Sequence, residues 1–235
     1  MVCEDFPHKP TKVIGVGKAY TWNYPGEKVP ETLPEPLTFL RPTTSLLPKG
    51  SPLEQPEGTS IAYETEIAVV IGKEAKNVKV ADAMSYIEGY ALAMDMCARE
   101  VQTHARKEGL PWAVCKGADT LNPIGRFIKL DEIPDPHNVN LKLVIDGKVA
   151  QDGNSQDLIY TIAQEIAYIS SYMTLLPGDI ILTGAPKGVS TVVAGAKMVA
   201  TLSLPDGKVL DEMEIDVVTK KEGYRFGKHW LEWLK

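Results

Sequence analysis

Apolar residues in this chain fall into short runs broken by proline, glycine and acidic residues, a pattern that favours strands over long helices. Lys12–Val16 predicts a short buried strand ending at Gly17, and Leu37–Leu40 predicts a second. Between them, Pro25, Gly26, Pro30, Pro34 and Pro36 alternate with Glu27, Glu31 and Glu35, so Trp22–Pro36 predicts a loop. Thr43–Gly58, rich in proline and glycine, predicts another. Ile61–Gly72 (IAYETEIAVVIG) is the clearest strand. Val80–Glu88 predicts a short helix, and Asp95–Lys107 a helix that follows the apolar Tyr90–Met94. Lys116–Thr120 predicts a turn.

The C-terminal half reads more regularly. Val139–Ile145 and Lys148–Gln151 flank Asp146–Gly147, a strong two-residue hairpin signal. Leu158–Leu175 carries Ile159, Ile162, Ile166, Ile169 and Met173 at near-helical spacing. Pro177–Gly178–Asp179 predicts a turn into a strand at Ile180–Leu182. Lys197–Leu204 and Val209–Val218 predict strands joined at Asp206–Gly207, and the aromatic, basic Gly227–Lys235 is expected to pack on the body. With no repeat or low-complexity linker, the expectation is one domain over 1–235, of which 1–36 form an N-terminal strand and a lid-like loop.

Composition narrows the class. The 17 prolines and 19 glycines demand frequent turns, which again favours a β-rich fold. At 44% hydrophobic and 24% charged, the 235 residues suit an ordinary globular protein with a sizeable core. A net charge of -6 and the lack of a Lys/Arg stripe argue against nucleic acid, so an anionic substrate must be attracted locally. Cys3, Cys97 and Cys115 follow no paired spacing and are expected to be free thiols in a reducing compartment, cytoplasm or mitochondrial matrix. No apolar run approaches 18 residues, so no membrane span is expected. Met1–Pro10 has neither a signal-peptide nor a transit-peptide pattern.

The candidate chemistry lies in carboxylates. On a strand, Glu64 and Glu66 point to one face, about 6–7 Å apart along the chain. That face continues through Ala68 and Val70, so two uncompensated carboxylates would be costly to desolvate. Two solvated glutamates on a half-exposed sheet are the plain alternative. Asp95 tilts the balance, because an acid closing a core-like run is unusual. If Asp95 opens a helix, Arg99 and Gln102 share its face at i+4 and i+7; a local N-cap paired with Arg99 is the competing reading. All-oxygen ligation points to Mg2+ or Mn2+, with Ca2+ also compatible. Lys116 follows the apolar Trp112–Cys115 and is placed to balance the carboxylates or an enolate, while Cys115 is read as core on the opposite face of a strand. His8, His104, His137 and His229 have no metal spacing, and no nucleophile elbow is present.

The segments VIGVGKAY, YETEIAVVIGK, GYALAMDMCAREVQ, GLPWAVCKGADT, QDGNSQDLIY and LPGDIILTGAPKGV, in this order from Lys12 to Leu204, resemble the fumarylacetoacetate hydrolase family. The likeness is to its short branch of acylpyruvate hydrolases, oxaloacetate decarboxylases and oxaloacetate tautomerases. It implies an α+β, β-rich fold, a mixed β-sandwich roll with peripheral helices, usually as a homodimer. It implies metal ligands at Glu64, Glu66 and Asp95, and substrate contacts from Arg99, Gln102, Lys116 and Thr183, with Gln102 and Lys116 acting in catalysis.

The implied function is metal-dependent acylpyruvate hydrolysis or oxaloacetate decarboxylation through an enolate. The alternatives are a keto–enol tautomerase and a non-catalytic binder of metal and dicarboxylate. Departures from the family pattern matter here. Asn23 and Gly26 stand where relatives carry a lid histidine and glutamate, with Glu27 one residue on, and Ala185 replaces the threonine of the TGTP turn. Asn23 cannot activate water as a base, whereas decarboxylation and tautomerisation need chiefly an electron sink; the exact reaction stays open between the three.

Overall fold

A computed structural model describes residues 3–23 and 33–228. Its strands are β1 (Val13–Gly17), β2 (Leu37–Arg41), β3 (Leu46–Pro48), β4 (Leu53–Gln55), β5 (Ile61–Tyr63), β6 (Thr65–Ile71), β7 (Ile87–Met94) and β8 (Cys97–Ala98). They continue with β9 (Asn122–Ile124), β10 (Ile128–Lys129), β11 (Asn140–Ile145), β12 (Lys148–Asn154), β13 (Ile180–Leu182), β14 (Ser190–Val192), β15 (Lys197–Ser203) and β16 (Val209–Thr219). Helices are α1 (Val80–Ala83), α2 (Arg99–Glu108), α3 (Ala113–Gly117) and α4 (Ile162–Tyr172). The β-rich α+β class expected from the sequence is the one observed.

Three sheets carry the fold. An eight-stranded sheet runs β2-β1-β13-β6-β7-β9-β3 with β10 added on β7; a five-stranded sheet runs β12-β11-β15-β16-β4; a three-stranded sheet runs β14-β5-β8. Most pairs are antiparallel, but β1–β13, β3–β9 and β16–β4 are parallel, so the sheets are mixed. β6 is buried along its whole length. Ile67, Val69 and Ile71 join the larger core cluster, while Ala68 and Val70 join a smaller one on the opposite face. Burial on both faces explains why Ile67–Ile71 reads as a continuous apolar run.

The hairpin at Asp146–Gly147 forms as its sequence requires, both residues taking left-handed backbone (φ 47° and 77°). Other expectations are corrected. Thr43–Gly58 contains two strands, β3 and β4, each held by a parallel partner distant in sequence, which local turn signals do not reveal. The strand at Ile61–Gly72 is interrupted at Glu64. The Val80–Glu88 helix is one α-turn followed by a 3-10 turn, because Ile87 and Gly89 are taken into β7. The Leu158–Leu175 helix begins only at Ile162, where Thr161 and Gln164 form a capping box. The expected loop at Trp22–Pro36 and the packing of Gly227–Lys235 fall largely outside the described residues.

One buried group opposes the fold. Glu165 of α4 is fully buried and neither carboxylate oxygen has a hydrogen-bond partner. Burial pushes its carboxyl well above the usual carboxylate range. The unfolded chain therefore ionises first, and stability falls as pH rises above about 4.3 towards the raised folded value. Glu165→Leu is expected to raise stability at pH 7 by about 2 kcal/mol, or about 4–8 °C in Tm. The gain should shrink as pH drops below about 4.5, where both states are protonated. Thermal melts across pH check this; a destabilised variant, or a gain that does not change with pH, would show that Glu165 is satisfied.

Candidate metal and substrate site

Glu64 and Asp95 come together because two strand connections cross at one point. At Glu64 the chain leaves the three-stranded sheet (β5) for the eight-stranded sheet (β6). At Asp95–Met96 it makes the reverse passage, from β7 to β8. The Asp95 N–H donates to the Glu64 carbonyl at 2.8 Å, tying the two passages together. Gln151 caps the Thr65 N–H that the break releases, at 3.0 Å. Interrupted strands expose backbone groups that need such partners.

One carboxylate oxygen each from Glu64, Glu66 and Asp95 lies within 4.8 Å of the others. Glu66 and Asp95 are buried, while the Glu64 side chain keeps 25% exposure. The Gly184 N–H donates to Glu66 Oε2 at 2.7 Å. Gly184 adopts φ 101°, and a Cβ there would come within 2.8 Å of the Ala19 Cβ, so only glycine presents this donor without strain. Lys116 Nζ stands 2.7 Å from Asp95 Oδ2 and 3.3 Å from Glu64 Oε2. Buried Arg41 donates to the other Asp95 oxygen and to the Met96 and Leu121 carbonyls.

The electrostatics follow from this crowding. Burial, then the Asp95 and Glu64 carboxylates, push Glu66 well above the ordinary carboxylate range, against the Gly184 N–H and the Lys116 ammonium. Burial and Asp95 also raise Glu64 despite its contact with Lys116, though its partial exposure moderates the effect. Burial pulls the Lys116 ammonium down, but Asp95 and Glu64 outweigh it and hold it above its ordinary value. Such a cluster carries more negative charge than its buried cations neutralise. A hard divalent cation suits this all-oxygen donor set, and its charge would relieve the repulsion.

A cavity of about 280 Å³ opens onto this cluster. Its lining includes Glu64, Glu66, Arg99, Gln102, Arg106 and Lys116, the aromatic Phe39 and Trp112, and Gly17–Ala19, Trp22, Asn23, Gly184 and Ala185. Arg99 Nη1 donates to Gln102 Oε1 at 3.0 Å.

Three local expectations are corrected. Asp95 does not open a helix: Asp95, Met96 and Arg99 donate their N–H groups to Glu64, Leu121 and Ser60, so α2 starts only at Arg99. Nor is Asp95 paired locally with Arg99; its partners are Arg41 and Lys116. Lys116 and Cys115 lie on helix α3 rather than a strand, as the Lys116 N–H donating to Trp112 O at 2.9 Å shows.

Other residues are placed as follows. All three cysteines are free and buried, Cys115 among the core. Asn23 lines the cavity, but its side-chain oxygen accepts from the Tyr20 N–H at 3.2 Å. Trp22 Nε1 donates to Ala185 O at 2.8 Å, joining this segment to the Gly184–Ala185 turn. Thr183 is fully buried and donates to the Ile67 carbonyl at 2.9 Å, with Gly184 and Ala185 lining the cavity in front of it. Gly26 and Glu27 lie outside the described residues. Sequence reasoning missed Arg41, the Gly184 N–H and Arg106. Arg41 carries no local signal, and only the helical spacing Arg99–Gln102–Arg106 pointed to the last.

Comparison with known proteins identifies the family. Residues 12–222 match the family described as "Fumarylacetoacetate (FAA) hydrolase C-terminal". The chain is 43% identical over 210 residues to the mitochondrial oxaloacetate tautomerase FAHD1 of Arabidopsis thaliana, covering 88% of this chain and 91% of that one. It is 40% identical over 214 residues to the mitochondrial oxaloacetate decarboxylase of Dictyostelium discoideum, covering 89% and 95%. Among solved structures, fumarylpyruvate hydrolase from Pseudomonas aeruginosa in complex with Mn2+ and pyruvate superposes with a TM-score of 0.79 at 30% identity, over 90% of this chain and 91% of that one. This chain belongs to the fumarylacetoacetate hydrolase family.

Proposed function

From membership of that family, we propose that the chain is a divalent-metal-dependent enzyme acting on small 2-oxo acids, with oxaloacetate as its substrate and decarboxylation to pyruvate as its reaction. The observation that carries this reading is the convergence of Glu64, Glu66 and Asp95 on one point beside Lys116. Those three residues would hold Mg2+ or Mn2+, and the Mn2+ and pyruvate in the fumarylpyruvate hydrolase structure support the assignment. The ion supplies a Lewis acid for the 2-oxo group.

The rest is the work of this chain's own residues. Arg99 binds the carboxylate next to the 2-oxo carbon through its charged fork. Its bond to Gln102 Oε1 leaves the Gln102 amide N–H groups free to donate to substrate. As the C3–C4 bond breaks and carbon dioxide leaves, the electron pair moves towards the 2-oxo oxygen, and the enolate so formed takes a proton from solvent at C3 to give pyruvate. Lys116, held protonated by its carboxylate neighbours, faces that developing charge as a cation and does not serve as a base. Thr183 acts by anchoring the Gly184–Ala185 turn against the substrate.

Hydrolysis is disfavoured because the described cavity lining contains no histidine, and Asn23 is committed to Tyr20. Tautomerisation of the same substrate is the second reading, favoured by Lys116 as a proton donor and by the names of the plant relatives. Of the two compartments expected, the relatives' mitochondrial names favour the matrix. Among the described residues no helix is long and apolar enough to cross a membrane. A homodimer is part of the same reading.

The purified protein with Mg2+ or Mn2+ should consume oxaloacetate and release pyruvate stoichiometrically, and chelation should stop it. Enol-to-keto conversion without pyruvate would replace decarboxylation by tautomerisation. Loss of neither substrate signal on chelation would overturn the metal reading.

A further inference from the structure

We infer that Arg106 is a specificity-determining residue that grips the distal carboxylate of a dicarboxylic 2-oxo acid. This rests on the 2-oxo acid reading above and extends it to the far end of the substrate. Arg99, Gln102 and Arg106 lie at i, i+3 and i+7 on α2, so they form one row, and all three line the cavity. Arg99 is half-buried, Gln102 is buried and Arg106 is exposed, so Arg106 stands at the solvent end of the row. Seven residues of helix separate the two arginine Cα atoms by about 10 Å, a gap the long side chains partly close.

The surroundings of Arg106 favour an anion. Its guanidinium lies over the Trp112 ring, 5.0 Å from the centroid. Trp112 in turn packs on Phe39 at 5.5 Å. That contact positions the guanidinium without occupying its N–H groups, which leaves them for a carboxylate that arginine takes bidentately. Among the described residues Arg106 has no acidic partner, although the chain carries six more acidic than basic side chains.

Charge points the same way. With a divalent cation, the three carboxylates are more than neutralised by the ion together with Lys116 and Arg41. Arg99, Arg106 and Lys18 are then surplus positive charge around one cavity. A monocarboxylate uses Arg99 alone. A second carboxylate two or more carbons away from the first gives Arg106 its partner.

The test compares oxaloacetate with its 4-methyl ester, which keeps the 2-oxo acid head, removes the distal charge and, with no free 4-carboxylate to lose as carbon dioxide, is read as a competitive inhibitor. In Arg106→Ala, the ratio of the ester's Ki to the KM for oxaloacetate is expected to fall about tenfold or more, because KM rises while Ki stays, one charge-assisted contact being worth at least that factor. Arg106→Lys should recover part of it, since a cation remains without the fork. An unchanged ratio, or equal losses on both compounds, overturns the assignment. If the wild type does not turn over oxaloacetate, the enzymatic reading fails by itself; the calorimetric affinities of the same pair, with Mn2+, in wild type and Arg106→Ala then decide the Arg106 contact separately. Equal affinities for oxaloacetate in the two proteins would overturn it there.

Discussion

Glu66→Gln is expected to abolish metal-dependent turnover while leaving the metal-free protein as stable as the wild type, or more so. The glutamine oxygen can still accept the Gly184 N–H that now bonds Glu66 at 2.7 Å, so the local backbone is retained. What disappears is a negative charge in a buried cluster where burial, Asp95 and Glu64 already hold the Glu66 carboxyl well above its ordinary value. A group raised in this way is protonated in the fold at a pH where the unfolded chain has ionised. Metal-free wild type therefore loses stability as pH rises above about 4.3, and the variant escapes that loss.

The metal response runs the other way. Loss of one of three anionic ligands should weaken divalent-ion affinity by at least about 100-fold, more than is typical for a supporting residue. Stabilisation by bound ion follows the ratio of free ion to its Kd, so the rise in Tm on adding Mn2+ should largely vanish. Melts at several pH values with and without Mn2+, run beside an oxaloacetate assay, separate the two effects. A variant that keeps the Mn2+-induced rise in Tm would remove Glu66 from the ligand set.

Arg41→Met is expected to be among the most destabilising single changes away from the carboxylates. Arg41 is 1% exposed and holds Asp95 together with the Met96 and Leu121 carbonyls. Methionine fills most of the volume but leaves those acceptors without their donor and a buried aspartate short of a counterion. Breaking a buried pair in this way costs about 3–5 kcal/mol. In a chain of this size that is a drop of roughly 6–20 °C in Tm. Added metal should recover part of the loss, because the ion supplies the charge that Asp95 has lost. Denaturant unfolding with and without Mn2+ measures both terms. A loss below about 1 kcal/mol would mean that Asp95 is satisfied by Lys116 alone.

Much of this molecule could be read before its structure. The strand through Ile67–Ile71 is written in that unbroken apolar run, and the hairpin at Asp146–Gly147 in residues that tolerate left-handed backbone. The Glu64–Glu66 pair and Asp95 were visible as acids attached to core-like segments, and Lys116 as a cation after one. These are local signals, because side-chain periodicity and backbone preference act over a few residues.

The structure decided everything that depends on distant segments meeting. Glu64 sits at a strand break and Asp95 at another, and only the crossing of two sheets, fastened by the bond from the Asp95 N–H to the Glu64 carbonyl, brings them together. The helix placed at Asp95 by its spacing begins four residues later, because those N–H groups find partners across the fold. Arg41 and the Gly184 N–H join the cluster from 54 and 118 residues away in sequence. Charge at that range is blind to the sequence and depends on where the backbone ends up. The residue types of the site were thus fixed by the chain, and their pairing by its fold.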